Sequence, residues 1–86
     1  MTFAVELRSP AQRSLNRLPA KAFDAIIAFI SGPLADNPAK VGKPLRHELE
    51  GMYSARVGPY RILYEIDEVV RIVSVIRIAH RADVYG

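Results

Sequence analysis

The chain has 86 residues, twelve basic against nine acidic side chains for a formal charge of +3, and an apolar half. That is enough for one small globular domain, 1–86, and too little for a second core or for a disordered chain. It contains no cysteine, which excludes a disulfide framework and a thiolate metal site. No run approaches the roughly 18–20 uncharged apolar residues of a membrane helix, and no basic stretch opens the chain as a secretory signal does; the expected location is cytoplasmic.

From Thr2 to Arg8 apolar and polar residues alternate, with Phe3, Val5 and Leu7 on one side, which predicts a half-buried strand. Ser9-Pro10, with Gln12 three positions after Ser9, reads as a capped helix start, and a helix over Pro10–Leu18 would bury Ala11, Leu15 and Leu18. After Pro19 the stripe Phe23, Ile26, Ile27, Ile30 and Leu34 predicts a second helix from Ala20 to about Ala35, with a break or kink at Gly32-Pro33. The two helices read as a hairpin laid on a sheet.

Asp36 to Gly51 is punctuated by Pro38, Gly42, Pro44 and Gly51 and carries Lys40, Lys43, Arg46 and His47. It reads as a solvated connector or as a ligand contact, with Leu45 and Leu49 anchoring it on the core. Met52–Val57 and Tyr60–Asp67 are strands about a Gly58-Pro59 turn. Glycine suits the positive φ of the first place of a type II′ turn and proline the second. Val69–Ala79 is the last strand, followed by a tail from His80 to Gly86. Four strands and two helices result.

Nine of the twelve basic residues are arginines, whose planar forks match phosphate oxygens. With Gly58-Pro59 as the turn, Arg56 faces Arg61 on one sheet face, a like-charged pair that carboxylates or a bound anion would relieve. Along the last strand, alternation sends Val70, Ile72, Ile76 and Ile78 to the core, and Arg71, Val73, Val75, Arg77, Ala79 and Arg81 to the other face. The arginines then line an open face suited either to solvent or to a phosphate backbone. No cysteine nucleophile, Gly-x-Ser-x-Gly elbow or phosphate loop is present, and two isolated histidines make a poor metal site, so neither metal nor cofactor is expected. Hydrolytic chemistry on such a face suits RNA, which brings its own nucleophile in the 2′-hydroxyl.

Three runs, Gly42-Lys43-Pro44-Leu45-Arg46, Tyr53-Ser54-Ala55-Arg56-Val57-Gly58-Pro59-Tyr60-Arg61-Ile62-Leu63-Tyr64 and His80-Arg81-Ala82-Asp83-Val84-Tyr85, together resemble RelE-type toxins of the RelE/ParE superfamily. The leading strand and helical hairpin extend the likeness over nearly the whole chain. The resemblance implies an α+β, β-α-α-β-β-β microbial-ribonuclease-like fold, a small mainly antiparallel sheet with the helical hairpin on one face. It implies the toxin of a type II toxin–antitoxin system, a ribosome-dependent mRNA endonuclease that needs no metal and leaves a 2′,3′-cyclic phosphate. The implied partners are a cognate acidic antitoxin, in a hetero-oligomer with the toxin, and the ribosome with mRNA in its A site.

Residue by residue, Arg56 looks like the sheet arginine at the scissile phosphate, Arg81 like the late acid or charge stabiliser, and Tyr85 like the tyrosine that stacks on or activates the substrate. Lys40, Lys43, Arg46, Arg61, Arg77 and His80 are the expected RNA contacts, His80 also as an extra acid or base. Two departures stand out. Where similar toxins carry a pair of lysines on the strand before the hairpin, this sequence has Tyr53 and Ala55, with Lys40, Lys43 and Arg46 as candidate stand-ins. The longer C-terminal helix of some relatives is missing, which is expected to leave the open face to the antitoxin. The alternatives are a ParE-like inhibitor of DNA gyrase, which needs no catalytic residues, and a non-catalytic module that binds antitoxin or RNA.

Overall fold

The computed structural model describes residues 2–81. Five strands, β1 (Ala4–Leu7), β2 (Lys43–Pro44), β3 (Met52–Val57), β4 (Tyr60–Asp67) and β5 (Ile72–His80), form one sheet in the order β1-β5-β4-β3-β2. β1 runs parallel to β5 and every other pair is antiparallel. The expected α+β architecture is therefore present, with one more strand than the expected four: β2 comes from the proline-rich connector, where two residues are too few for any alternation to show. The Gly58-Pro59 turn stands as expected, with Gly58 at φ 57° and Val57 paired to Tyr60.

The helices α1 (Ser9–Asn16) and α2 (Ala20–Phe29) cover one face of the sheet. The N-cap of α1 is Arg8, and Ser9 is already helical, so the expected capping box does not form; Gln12 donates to Asn16 at 3.0 Å instead. α1 also stops at Asn16, before the expected Leu18, although Leu18 still packs on the core. α2 gives way to a π-helical turn, Ile30–Leu34, that contains Pro33, so the expected kink falls where proline removes a donor from the ladder. A short helix α3 (Pro38–Val41) then leads into β2. Ala11 and Leu15 of α1, with Ile26, Ile30 and Leu34, close on Phe3, Ala55, Ile62, Tyr64, Val73, Val75 and Ile78. Each large aliphatic side chain buried this way contributes about 1.5–3 kcal/mol.

β5 departs from the expected alternation. Tyr60–Leu63 pair with His80–Arg77, whereas Tyr64–Asp67 pair with Val75–Ile72, so Ile76 is an extra, bulged residue. The bulge inverts the parity: Val73 and Val75 are buried core residues and not open-face residues, while Ile78 remains in the core. β5 also begins at Ile72, because Asp67 accepts the N–H groups of Val69 and Val70 (3.0 and 3.2 Å) and turns that stretch into a loop. Val70 is thus exposed and not core. Arg71 leaves the open face altogether: at φ 62° its guanidinium lies 4.0 Å from the centroid of the Phe3 ring.

Tyr64 ties the sheet to the connector. Its buried hydroxyl donates to the carbonyl of Pro38 at 2.6 Å and its ring stacks on Tyr53, centroids 5.6 Å apart. Burial, with the neighbouring Tyr53 phenol adding to it, pushes the Tyr64 hydroxyl up to about 12. The unfolded chain ionises this tyrosine near 10, so the associated stability is complete below that pH and drains away as the pH rises towards about 12. Urea titrations across that window should show a loss of roughly 2–3 kcal/mol, and Tyr64→Phe should abolish that component. An unchanged alkaline profile in Tyr64→Phe refutes the assignment.

Candidate nucleic-acid interface

The sheet face opposite the helices is built in cross-strand rows. In the middle row Lys43 of β2 stands opposite Ser54, Ser54 opposite Leu63, and Leu63 opposite Arg77. At about 4.8 Å per strand, this row spans roughly 14 Å. The next row, towards the Gly58-Pro59 turn, holds Arg56, Arg61 and Ala79. The row on the other side holds Met52, Glu65, Ser74 and Glu6, and Ser74 lies 3.5 Å from the Glu6 carboxylate. The face is therefore polarised, cationic near the hairpin turn and acidic at the far end.

Arg56 and Arg61 form the like-charged pair expected from the turn. A two-residue hairpin makes Val57–Tyr60 the hydrogen-bonded pair and Arg56–Arg61 the next, non-hydrogen-bonded one, where cross-strand side chains approach most closely. Two grooves meet at Arg61 of this pair. One, of about 400 Å³, is lined by Lys40, Lys43, Ser54, Arg56 and Arg61 among others. The second, of about 240 Å³, is lined by Leu45, Leu49, Ser54, Arg61, Leu63, Arg77 and Ala79. Among the described residues no carboxylate lines either groove. Leu45 and Leu49 thus form the rim of the open face and are not core anchors; Leu49 is 47 % exposed.

The structure brings together Lys40, Lys43, Arg56, Arg61 and Arg77. Arg46 is exposed just before a 3₁₀ turn (His47–Leu49) and lines neither groove. Arg81 is held at the hairpin end by its backbone N–H, which donates to Pro59 at 2.8 Å, with its side chain exposed. His80 is a correction: it lies within β5, opposite Tyr60 on the helix-covered side, with the two rings edge-on at 5.3 Å. His80 faces away from Arg56 and Arg61, because neighbours in a strand face opposite ways, and it lines a separate groove with Arg17 at the β5 edge. Tyr85 lies outside the described residues.

Sequence reasoning missed Ser54 and Leu63, the small and apolar centre of the row that makes room between the cations. Their parity with Arg56 and Arg61 was the available signal. Chemically, the arginines offer planar, forked donors that match phosphate oxygens, while the two lysines present compact ammonium charges on flexible stems.

Residues 5–85 match the sequence profile of a family described as the ParE toxin of type II toxin–antitoxin systems. The toxin RelG of Mycobacterium tuberculosis is 45 % identical over 85 residues, which cover 99 % of this chain and 98 % of that protein. The toxin RelE of the same organism is 46 % identical over 83 residues, covering 96 % and 86 %. In three dimensions the chain resembles a chain of the RelBE2 toxin–antitoxin complex of M. tuberculosis with a TM-score of 0.90, at 42 % identity, over 94 % of this chain and all of the other.

Proposed function

The chain belongs to the ParE toxin family of type II toxin–antitoxin systems, and from that membership we propose that it is an endoribonuclease of the RelE kind that cuts mRNA in the ribosomal A site. The observation that carries this reading is the cationic half-face itself: Arg56 opposite Arg61, with Lys43 and Arg77 in the adjoining row and, among the described residues, no carboxylate lining the grooves between them. An enzyme acting on a phosphodiester needs several cations along one groove to hold the strand and stabilise the charge that builds on the phosphate.

In the proposed reaction the 2′-oxygen attacks the adjacent phosphorus, the bond to the 5′-oxygen breaks, and a 2′,3′-cyclic phosphate and a 5′-hydroxyl result. Arg56 and Arg61 hold the non-bridging oxygens and stabilise the charge that builds on them. Lys43, opposite Ser54 and one row from the arginine pair, donates to the phosphate and steadies the attacking 2′-oxygen as its proton passes to water. Arg81, at the hairpin end, steadies charge on the departing 5′-oxygen, which collects its proton from water. Lys40 and Arg77 position the strand on either side. The assigned role of Tyr85, stacking on the substrate nucleotide, completes the set. No resident metal or cofactor takes part in these steps.

The partner in this reading is an antitoxin, as in the complex of the 42 %-identical relative. An acidic, amphipathic segment that orders on binding fits the cationic grooves, and the resulting hetero-oligomer hides the site. Among the described residues no helix is long and apolar enough to cross a membrane, and ribosome-dependent action places the protein in the cytoplasm.

The family's ParE name makes gyrase inhibition the reading to test against. Purified toxin should cleave mRNA on programmed ribosomes and leave gyrase supercoiling untouched. Inhibited supercoiling with intact transcripts would overturn the proposal.

A further inference from the structure

β1 pairs with β5 over Ile72–Val75 and ends at Leu7, with the N–H of Arg8 bound to Val75 as the last rung. Beyond the Ile76 bulge, β5 continues through Arg77–His80, and among the described residues no strand lies on its outer side. The Arg81 N–H bonds to Pro59, so the strand's alternation points the N–H and C=O of Ile78 away from β4, outwards over that edge. The last turn of α1 and the residues after it flank this edge, and a groove of about 370 Å³ lies between them, lined by Ser14, Arg17, Leu18, Arg77, Ala79 and His80 among others.

This groove opens on the helix-covered side of the β5 edge, where Pro19, Tyr60 and Ile78 also line it, and it adjoins the open face across that edge. It shares Arg77 and Ala79 with the Leu63 groove, which shares Ser54 and Arg61 with the groove of Lys43 and Arg56. The shared residues set the three grooves in series across the strands and over the β5 edge, with cations along the series and, among the described residues, no carboxylate in the linings. The far end of the series offers the Arg17 guanidinium and the Ser14 hydroxyl, donors suited to phosphate oxygens.

We propose that the groove between α1 and the free edge of β5 is a second phosphate-binding subsite, through which a single-stranded RNA held on the open face passes over the sheet edge and is gripped by Arg17. The inference rests on the RNA reading above. A peptide strand added to this edge is the less favoured occupant, because the edge presents only Arg77–His80, too short a row of backbone groups for a stable extra strand. An RNA strand needs only cations spaced along its path, with site sizes of about 4–16 nucleotides in comparable sheet grooves.

The test is fluorescence-anisotropy binding of the full chain to labelled, uncleavable 2′-O-methyl RNA of about four and about eight nucleotides. Arg17 is exposed, so Arg17→Ala leaves the fold intact, which a thermal melt verifies. Arg17→Ala should weaken the longer RNA roughly five- to tenfold and lower its salt slope by about 0.7, one phosphate contact, while leaving the shorter RNA unchanged. Arg17→Lys should restore most of the loss. Equal losses at both lengths, no loss at either, or a loss confined to antitoxin binding each overturn the subsite. Wild-type protein that binds neither RNA overturns the RNA reading itself. Arg56→Ala weakening both lengths while Arg17→Ala weakens neither overturns the subsite alone.

Discussion

Arg56→Ala should slow mRNA cleavage on ribosomes roughly 10²–10³-fold in single-turnover assays, because one preorganised donor to a developing oxyanion is worth about that much. Arg61→Ala should lose a similar factor, and the double variant much less than the product, since the two forks share one phosphate. Arg56 is exposed and makes no core contact, so the melting temperature of Arg56→Ala should match that of the wild type, and growth arrest on expression should be relieved. Arg56→Lys should recover only part of the rate, as an ammonium supplies charge without the fork. A folded Arg56→Ala protein that still cleaves at the wild-type rate would remove Arg56 from the site and shift the phosphate towards Arg61 and Arg77.

Gly42→Ala should cost about 1–3 kcal/mol in urea unfolding, a large share of the roughly 4–13 kcal/mol expected of so small a domain. A Cβ at Gly42 would overlap the Tyr64 hydroxyl and come within 2.9 Å of the Ser54 carbonyl oxygen. Neither neighbour yields easily: the hydroxyl is bonded to Pro38, and Ser54 is the residue opposite Lys43. β2 must therefore shift, and Lys43 shifts with it, so cleavage falls along with stability. Adding Tyr64→Phe to Gly42→Ala should return part of the lost stability by removing the nearest obstruction, and a double-mutant cycle reads that coupling directly. Strict additivity would show that the close approach carries no energetic weight.

Gly42 shows how sequence legibility was divided. Its place in the resembling run Gly42-Lys43-Pro44-Leu45-Arg46 was visible, but its reason was not, because the obstructing atom belongs to Tyr64 on another strand. The Arg56–Arg61 pair was fully legible, since a two-residue turn leaves only one register between its flanking strands. His80 is illegible for the opposite reason: no local signal carries the last strand past Ala79, whereas β5 extends through His80 and its alternation turns that side chain to Tyr60. Val73 and Val75 were assigned to the wrong face because Ile72, Val73, Val75 and Ile76 are all apolar, so periodicity cannot detect one bulged residue. Ser74, the one polar residue in that run, was the only local hint.

What the sequence determined by itself is what neighbours along the chain decide: the alternation of Phe3, Val5 and Leu7, the helical stripe with its break at Gly32-Pro33, the Gly58-Pro59 turn and the arginine excess with its bias towards one face. Tertiary structure alone decided what distant segments decide together. The pairing of two connector residues with Ser54 and Tyr53 brings Lys43 into the arginine grooves. The early end of β1 leaves the upper edge of β5 open beside Arg17. Such placements follow from long-range pairing and packing, whose free energy is gained only when the whole sheet closes, so no local pattern of residues records them.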